Sequence, residues 1–200
     1  MDTGVYVKTF SAPPLSRRDI LRYAGCREET PEVAELLDSC LLETRERFSY
    51  RVVYRRLFVR SDGDLLDFGS FSIRSKDLTK ALSGCHSVLL FAATVGIMLD
   101  SLVARYVRTS PARACLLQAI GTERVEALCD AFCLDMAKET AGELCPRFSP
   151  GYGDVPLSVQ KDVFALLDPG RRIGVSLNEC LLMVPTKSVT AFVGIRECEE

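Results

Sequence analysis

The chain has 200 residues, 48% hydrophobic, 26% charged and 8% aromatic, with a formal net charge of −2 at pH 7. That length suits one domain with a sizeable core, and the charge favours neither nucleic acid nor an anionic membrane as a partner. A single histidine, His86, excludes most zinc sites and Ser-His-Asp schemes.

Met1 to Pro14 reads as an arm in which Val5, Val7 and Phe10 alternate with polar residues, as on an edge strand. Ser16-x-x-Asp19 resembles a capping box, and Ile20 to Tyr23 followed by Gly25 predicts a short helix with its stop. Thr30-Pro31 places an N-cap before a first-position proline. Val33, Leu36, Leu37, Cys40 and Leu41 then share one helical face, with an end expected near Arg47. Tyr50 to Arg60 reads as a strand, Asp62-Gly63 as a hairpin turn into Leu65 to Phe68, and Phe71 to Ile73 as more sheet. Ser75 to Leu82 predicts a short helix before a buried strand, Ser87 to Ala93. Ala81 to Leu99 carries no Asp, Glu, Lys or Arg, but its Ser, Gly, His and Thr residues break it into a helix end, a strand and a loop rather than a membrane span.

From Ile97 the pattern turns helical: Met98, Leu102 and Tyr106 fall four apart. Ser110-Pro111 opens a second helix to about Glu139, with a kink expected at Gly121. Arg147 to Pro156 is too rich in proline and glycine for helix or strand. Ser158 reads as the N-cap of a helix bearing Val163, Phe164 and Leu167, stopped at Pro169-Gly170. Two apolar runs, Cys180 to Val184 and Ser188 to Ile195, split by Pro185, read as paired strands. Strands first and last, with helices between and around, predict an α+β fold with a largely antiparallel sheet.

Nine cysteines, an odd number without CxxC pairs, and an opening without a signal-peptide pattern predict free thiols in a reducing cytoplasm and no bound metal. Cys129 and Cys133 share a helix face, where buried cysteine as a small apolar residue is far commoner than a redox pair. Gly151-x-Gly153 is no dinucleotide fingerprint, because no strand precedes it and no helix starts on it. A loop carrying Arg147, Tyr152 and two close glycines suits a small polar ligand; the alternative is an ordinary structured loop.

Arg147-x-x-x-Gly151-Tyr152-x-x-x-Pro156 resembles the RxxxGYxxxP signature of the activation (reactivation) domain of vitamin B12-dependent methionine synthase. Leu177-Asn178-Glu179 with Met183-Val184-Pro185-x-x-Ser188-Val189, and Thr94-Val95-Gly96 before a long helix, are similar to two further blocks of that family. The likeness runs from about residue 85 to the C-terminus, and residues 1–84, with helices and a hairpin, have no counterpart motif. It implies one compact domain, 1–200, whose residues 85–200 form an S-adenosylmethionine-binding core with a twisted antiparallel sheet flanked by helices.

By this resemblance Arg147 grips the ligand carboxylate, while Phe148, Ser149 and Pro150 offer backbone groups to the adenine. Gly151 and Tyr152 shape the wall. Asp130, in Cys129-Asp130-Ala131-Phe132, stands where the family has Glu in an A-E-A-F element, near the ligand's cationic centres and ribose. Glu179 is a similar acidic candidate, whereas Pro185, Ser188 and Val189 read as structural. Phe148 departs from the small residue or proline usual before Pro-Gly-Tyr. The implied function is a stand-alone reactivation module in the cytoplasm. It would present the methyl group of S-adenosylmethionine to cobalamin carried by a separate methionine synthase, with a flavodoxin- or ferredoxin-like electron donor. No side-chain nucleophile is then needed. Two alternatives stand beside it: an independent methyltransferase acting on a corrinoid protein, and a homologue that keeps the fold without the ligand.

Overall fold

The computed structural model of the protein describes residues 4–140 and 142–196. The chain opens with β1 (Tyr6–Phe10), α1 (Arg17–Tyr23) and α2 (Pro31–Thr44). Both predicted caps are present: the Ser16 hydroxyl accepts from the Asp19 N–H, and the Thr30 hydroxyl accepts from the Val33 N–H. β2 (Tyr50–Phe58) leads into a small sheet of β3 (Arg60–Asp62), β4 (Leu65–Asp67) and β5 (Ser72–Arg74). Then come α3 (Lys76–Ala81), β6 (Cys85–Thr94), α4 (Met98–Tyr106), α5 (Pro111–Glu139) and the short β7 (Glu143–Leu144). After the 145–156 loop follow a 3₁₀ turn (Leu157–Val159), α6 (Gln160–Leu167), α7 (Pro169–Ile173), β8 (Ser176–Leu177), β9 (Met183–Val184) and β10 (Ser188–Arg196).

The main sheet is antiparallel throughout, in the order β1-β2-β6-β10-β7. Side chains alternate across it, and both faces are covered. Val53, Leu57, Val88, Leu90, Ala92 and Phe192 pack on one side beneath the small sheet, α3, α6 and α7. Tyr54, Leu89, Phe91, Ala93 and Val193 pack on the other against Val125, Leu128 and Phe132 of α5. Burial on both faces explains why β6 reads as a continuous apolar run without alternation. A third cluster joins α1, α2 and α4 to the first half of α5 through Ile20, Leu37, Leu102 and Leu117. Among the described residues no helix is long and apolar enough to cross a membrane.

Four expectations need correction. The runs Cys180–Val184 and Ser188–Ile195 do not pair with each other. Both edges of β10 are taken by β6 and β7, so β9 pairs with β8 instead, across a turn held by the Asn178 side chain. Ser158 caps nothing; it lies inside the 3₁₀ turn, and α6 starts at Gln160. Pro169-Gly170 does not end that helix: Asp168, in the left-handed region (φ 46°), ends it, and Pro169 opens α7 as its first residue.

The fourth is Gly121, through which α5 runs unbroken. A Cβ there would come within 2.0 Å of a Leu99 methyl and 2.8 Å of Lys187 Cγ, so the glycine admits α4 and the 187 region close to the α5 axis. Gly121→Ala gains helix propensity but overpacks this contact. We expect a net loss of ~1–3 kcal/mol in urea unfolding. A variant as stable as the wild type would mean that Leu99 swings aside at no cost.

Candidate functional site

The outward face of α5 carries Glu126 and Asp130, one helical turn apart. Arg147 follows β7 and reaches back to both. Its Nη1 donates to Asp130 Oδ1 at 2.5 Å and its Nη2 to Glu126 Oε2 at 2.8 Å. Burial disfavours the guanidinium charge, but the Asp130 hydrogen bond and the surrounding carboxylates outweigh it, so its pKa lies above the ordinary arginine value. Arg147 is a permanent cation whose fork is closed by two carboxylates. Below it, burial pushes up the thiols of Cys129 and Cys133, more than the nearby Arg147 lowers them. Neither cysteine is a ready nucleophile.

Two open grooves meet at this ion pair. One, of about 450 Å³, lies between α5 and α1 and is bordered by Asp19, Arg22, Tyr23, Glu126, Asp130 and Arg147. The other, of about 900 Å³, lies between α5 and the 143–147 segment, with Cys133, Leu134, Leu144 and Pro146 on its walls. The first carries most of the charged residues, and apolar surface is the larger share of both. Sequence reasoning found Arg147 and Asp130 and missed Glu126, Asp19 and Arg22. The spacing of Glu126, four before Asp130 on one helix, was the available signal. Asp19 read only as a capping residue, and its carboxylate does bond the Ser16 hydroxyl and the Arg22 guanidinium.

The loop after Arg147 is tightly organised. The Phe148 N–H donates to the Phe192 carbonyl at 2.9 Å, and the Phe192 N–H donates back at 2.8 Å. The Phe148 main chain is therefore committed to the sheet, and its ring packs on the core. The Ser149 carbonyl accepts from the Tyr152 N–H, and the Gly151 N–H donates to Val155. Among the described residues no protein partner holds the Ser149 N–H or the Pro150 carbonyl, but Pro150 is buried and none of residues 148–152 borders either groove. Gly151 (φ 90°) is required by the backbone, and a Cβ on Gly153 would meet Asp77 Oδ2 at 2.3 Å. The Tyr152 ring is 70% exposed and walls off nothing in the free chain.

Asp154 pins this loop to α3. Its carboxylate accepts from the Ser75 hydroxyl, from the Lys76 N–H at 2.8 Å and from the Asp77 N–H at 3.3 Å. These bonds, Ser75 first, hold its pKa below the usual carboxylate value. Glu179 stands exposed in the turn between β8 and β9 and borders neither groove. The Thr94 and Ser188 blocks meet in the sheet: Ser188 Oγ and Thr94 Oγ1 lie 2.9 Å apart, and the Gly96 N–H donates to Thr94 Oγ1. Their role is structural.

No protein-family model matches the sequence, and no curated protein matches it. Among solved structures, the chain superposes on the crystal structure of the MetH reactivation domain bound to AdoHcy. The TM-score is 0.73 at 14% identity, over 99% of this chain and 80% of that one. In fold, this chain is similar to a MetH reactivation domain. The α+β architecture with a curled antiparallel sheet is common to both, and the likeness extends over residues 1–84, where the sequence showed no motif. Among the described residues no group of three or more His, Cys, Asp or Glu is arranged to hold a metal ion, and His86 is exposed. Cys198 lies outside the described residues.

A permanent cation between two carboxylates, with Asp19 and Arg22 opposite, is a zwitterionic surface. It offers a fork for one carboxylate and several anionic positions for ammonium, sulfonium or hydroxyl groups. The raised thiol pKa values of Cys129 and Cys133 make neither an activated nucleophile.

Proposed function

We propose that the cleft formed by α1, α5 and Arg147 binds S-adenosylmethionine. The chain would then act as a reactivation module, presenting the methyl group to cobalamin carried by a partner methionine synthase. The observation that carries this reading is the Glu126–Arg147–Asp130 arrangement at the mouth of an open cleft. On ligand entry the Arg147 fork exchanges a carboxylate of the protein for that of the ligand, and the released carboxylate meets the ammonium or sulfonium. The second groove, with Leu134, Leu144 and Pro146 on its walls, suits the face of an adenine ring. The neighbour of like fold was crystallised with AdoHcy, the demethylated ligand.

The methyl acceptor in this reading is the reduced cobalt of the partner's cobalamin, which supplies its own nucleophilicity. The chain's residues therefore only bind, orient and balance charge. That agrees with the raised pKa of the two thiols below Arg147, which are not thiolate nucleophiles. A flavodoxin- or ferredoxin-like protein is the proposed electron donor, and the cytoplasm the proposed compartment. One observation favours the reading without a ligand: the charge of Arg147 is already balanced by two carboxylates of the protein.

Calorimetry separates the two. The expected result is one S-adenosylhomocysteine site per chain, and no binding of either nucleoside at millimolar concentration would leave the ligand-free homologue. A second assay addresses the partner. The chain, S-adenosylmethionine and a low-potential reductant are mixed with a cobalamin-loaded synthase, and the methylcobalamin spectrum is followed. Methylation that depends on the chain is expected, with no turnover on small acceptors alone. Efficient turnover on a small acceptor without corrinoid would refute the role. Turnover confined to a different corrinoid protein would favour an independent methyltransferase.

A further inference from the structure

Two charged residues on α5 play no direct part in the ion pair around Arg147, although Glu123 also borders the first groove. Glu123 and Arg124 are adjacent, and each side chain is only 4% exposed. Neighbours on a helix do not face each other, so the pairing of these two reflects a shared target. That target is the stretch between β1 and α1, which has no helix or strand of its own. Arg124 Nη1 donates to the Pro13 carbonyl at 2.7 Å and Nη2 to the Pro14 carbonyl at 2.8 Å. Glu123 Oε1 accepts the Ser16 N–H at 2.9 Å and also receives Arg124 Nη2. A buried pair adds little stability over apolar residues of the same size, but its directional bonds fix the position of what it holds.

What it holds is one wall of the cleft. Ser16 caps α1, and α1 carries Asp19 and Arg22 toward Glu126, Asp130 and Arg147. α1 has seven residues and Ile20 as its only fully buried side chain; Arg17 ties it to Asp38 and the Ala34 carbonyl of α2, and residues 13–16 set its N-terminal end on α5. We propose that Glu123 and Arg124 are positioning residues of the cleft: they latch residues 13–16 onto α5 and so hold Asp19 and Arg22 opposite Arg147. This rests on the reading of the cleft as an S-adenosylmethionine site. By reciprocity, a ligand that bridges α1 and α5 tightens the latch.

The test uses Arg124→Met, Arg124→Lys and Glu123→Gln in the full chain, with S-adenosylhomocysteine as probe. Amide exchange in residues 11–24 should quicken about tenfold in Arg124→Met while the sheet amides stay unchanged. Affinity should weaken by about the same factor, with partial recovery in Arg124→Lys. Combining Arg124→Met with Asp19→Asn should give less than the sum of the two effects, whereas combining it with Arg147→Ala should give the sum. If Arg124→Met does not fold, Glu123→Gln keeps the acceptor for Ser16, removes the counter-charge of Arg124 and carries the same comparison. Wild-type binding with unchanged affinity in the folded variants overturns the latch alone, as does full additivity with Asp19→Asn. A wild type that binds no S-adenosylhomocysteine overturns the cleft reading and, with it, this proposal.

Discussion

Arg147→Ala should weaken S-adenosylhomocysteine binding by ~1.5–3 kcal/mol, the scale of a hydrogen bond to a charged group. That corresponds to about a ten- to hundredfold rise in Kd. The effect has two sources. The fork that receives the ligand carboxylate is gone, and Glu126 and Asp130, now without their shared cation, repel each other across one helical turn. The second source predicts a control. Asp130→Asn in the Arg147→Ala background should return part of the stability lost but none of the affinity. A nucleoside lacking the carboxylate, such as methylthioadenosine, should be nearly indifferent to Arg147→Ala. Equal loss for both nucleosides would mean that Arg147 shapes the cleft without touching the carboxylate. Unchanged S-adenosylhomocysteine affinity in a folded variant would remove Arg147 from the site.

Phe132→Ala should cost ~3–5 kcal/mol of folding stability, most of a small domain's margin. Phe132 is fully buried at the seam between α5 and the sheet. Its ring lies 4.9 Å from that of Phe91, 5.2 Å from Tyr54 and 6.5 Å, edge-on, from Phe10. It thus ties β6, β2 and β1 to one helix, and alanine would leave a cavity that three strands cannot close together. Chemical denaturation gives the measurement; a loss below about 1 kcal/mol would show that the seam collapses onto the gap. Asp130 lies two residues earlier but on the opposite, outward face. The variant, kept under folding conditions, should therefore hold the ligand nearly as well as the wild type. A parallel loss of affinity would mean that the cleft moves with the seam.

Much of this protein is legible in its sequence because many of its signals are local. The caps at Ser16 and Thr30, the glycine at position 63 and the Val- and Tyr-rich run of β2 each report the burial or backbone need of a few neighbouring residues. The same holds for the Arg147–Pro156 loop, whose prolines and glycines exclude regular structure wherever the loop ends up. Arg147 and Asp130 were found through motif blocks; why those two residues meet was not visible, and the helix that separates them supplies the reason.

Tertiary structure alone decided the rest, and in each case the deciding partner is distant in the chain. β10 reads as one half of a hairpin with the preceding run, yet β6 and β7 occupy both of its edges, and edge occupancy leaves no mark on a strand's own residues. Gly121 looks like a kink when seen along α5 and is a close approach when Leu99 and Lys187 stand beside it. Asp154 is an ordinary loop acid until the N-terminus of α3 is placed against it. Glu123 and Arg124 break the apolar pattern of a buried helix face, and the carbonyls of Pro13 and Pro14, the N–H of Ser16, 107 residues from Glu123, and the Tyr50 hydroxyl account for them. Periodicity records whether a side chain is buried; which group meets it there depends on the packing of elements remote in sequence.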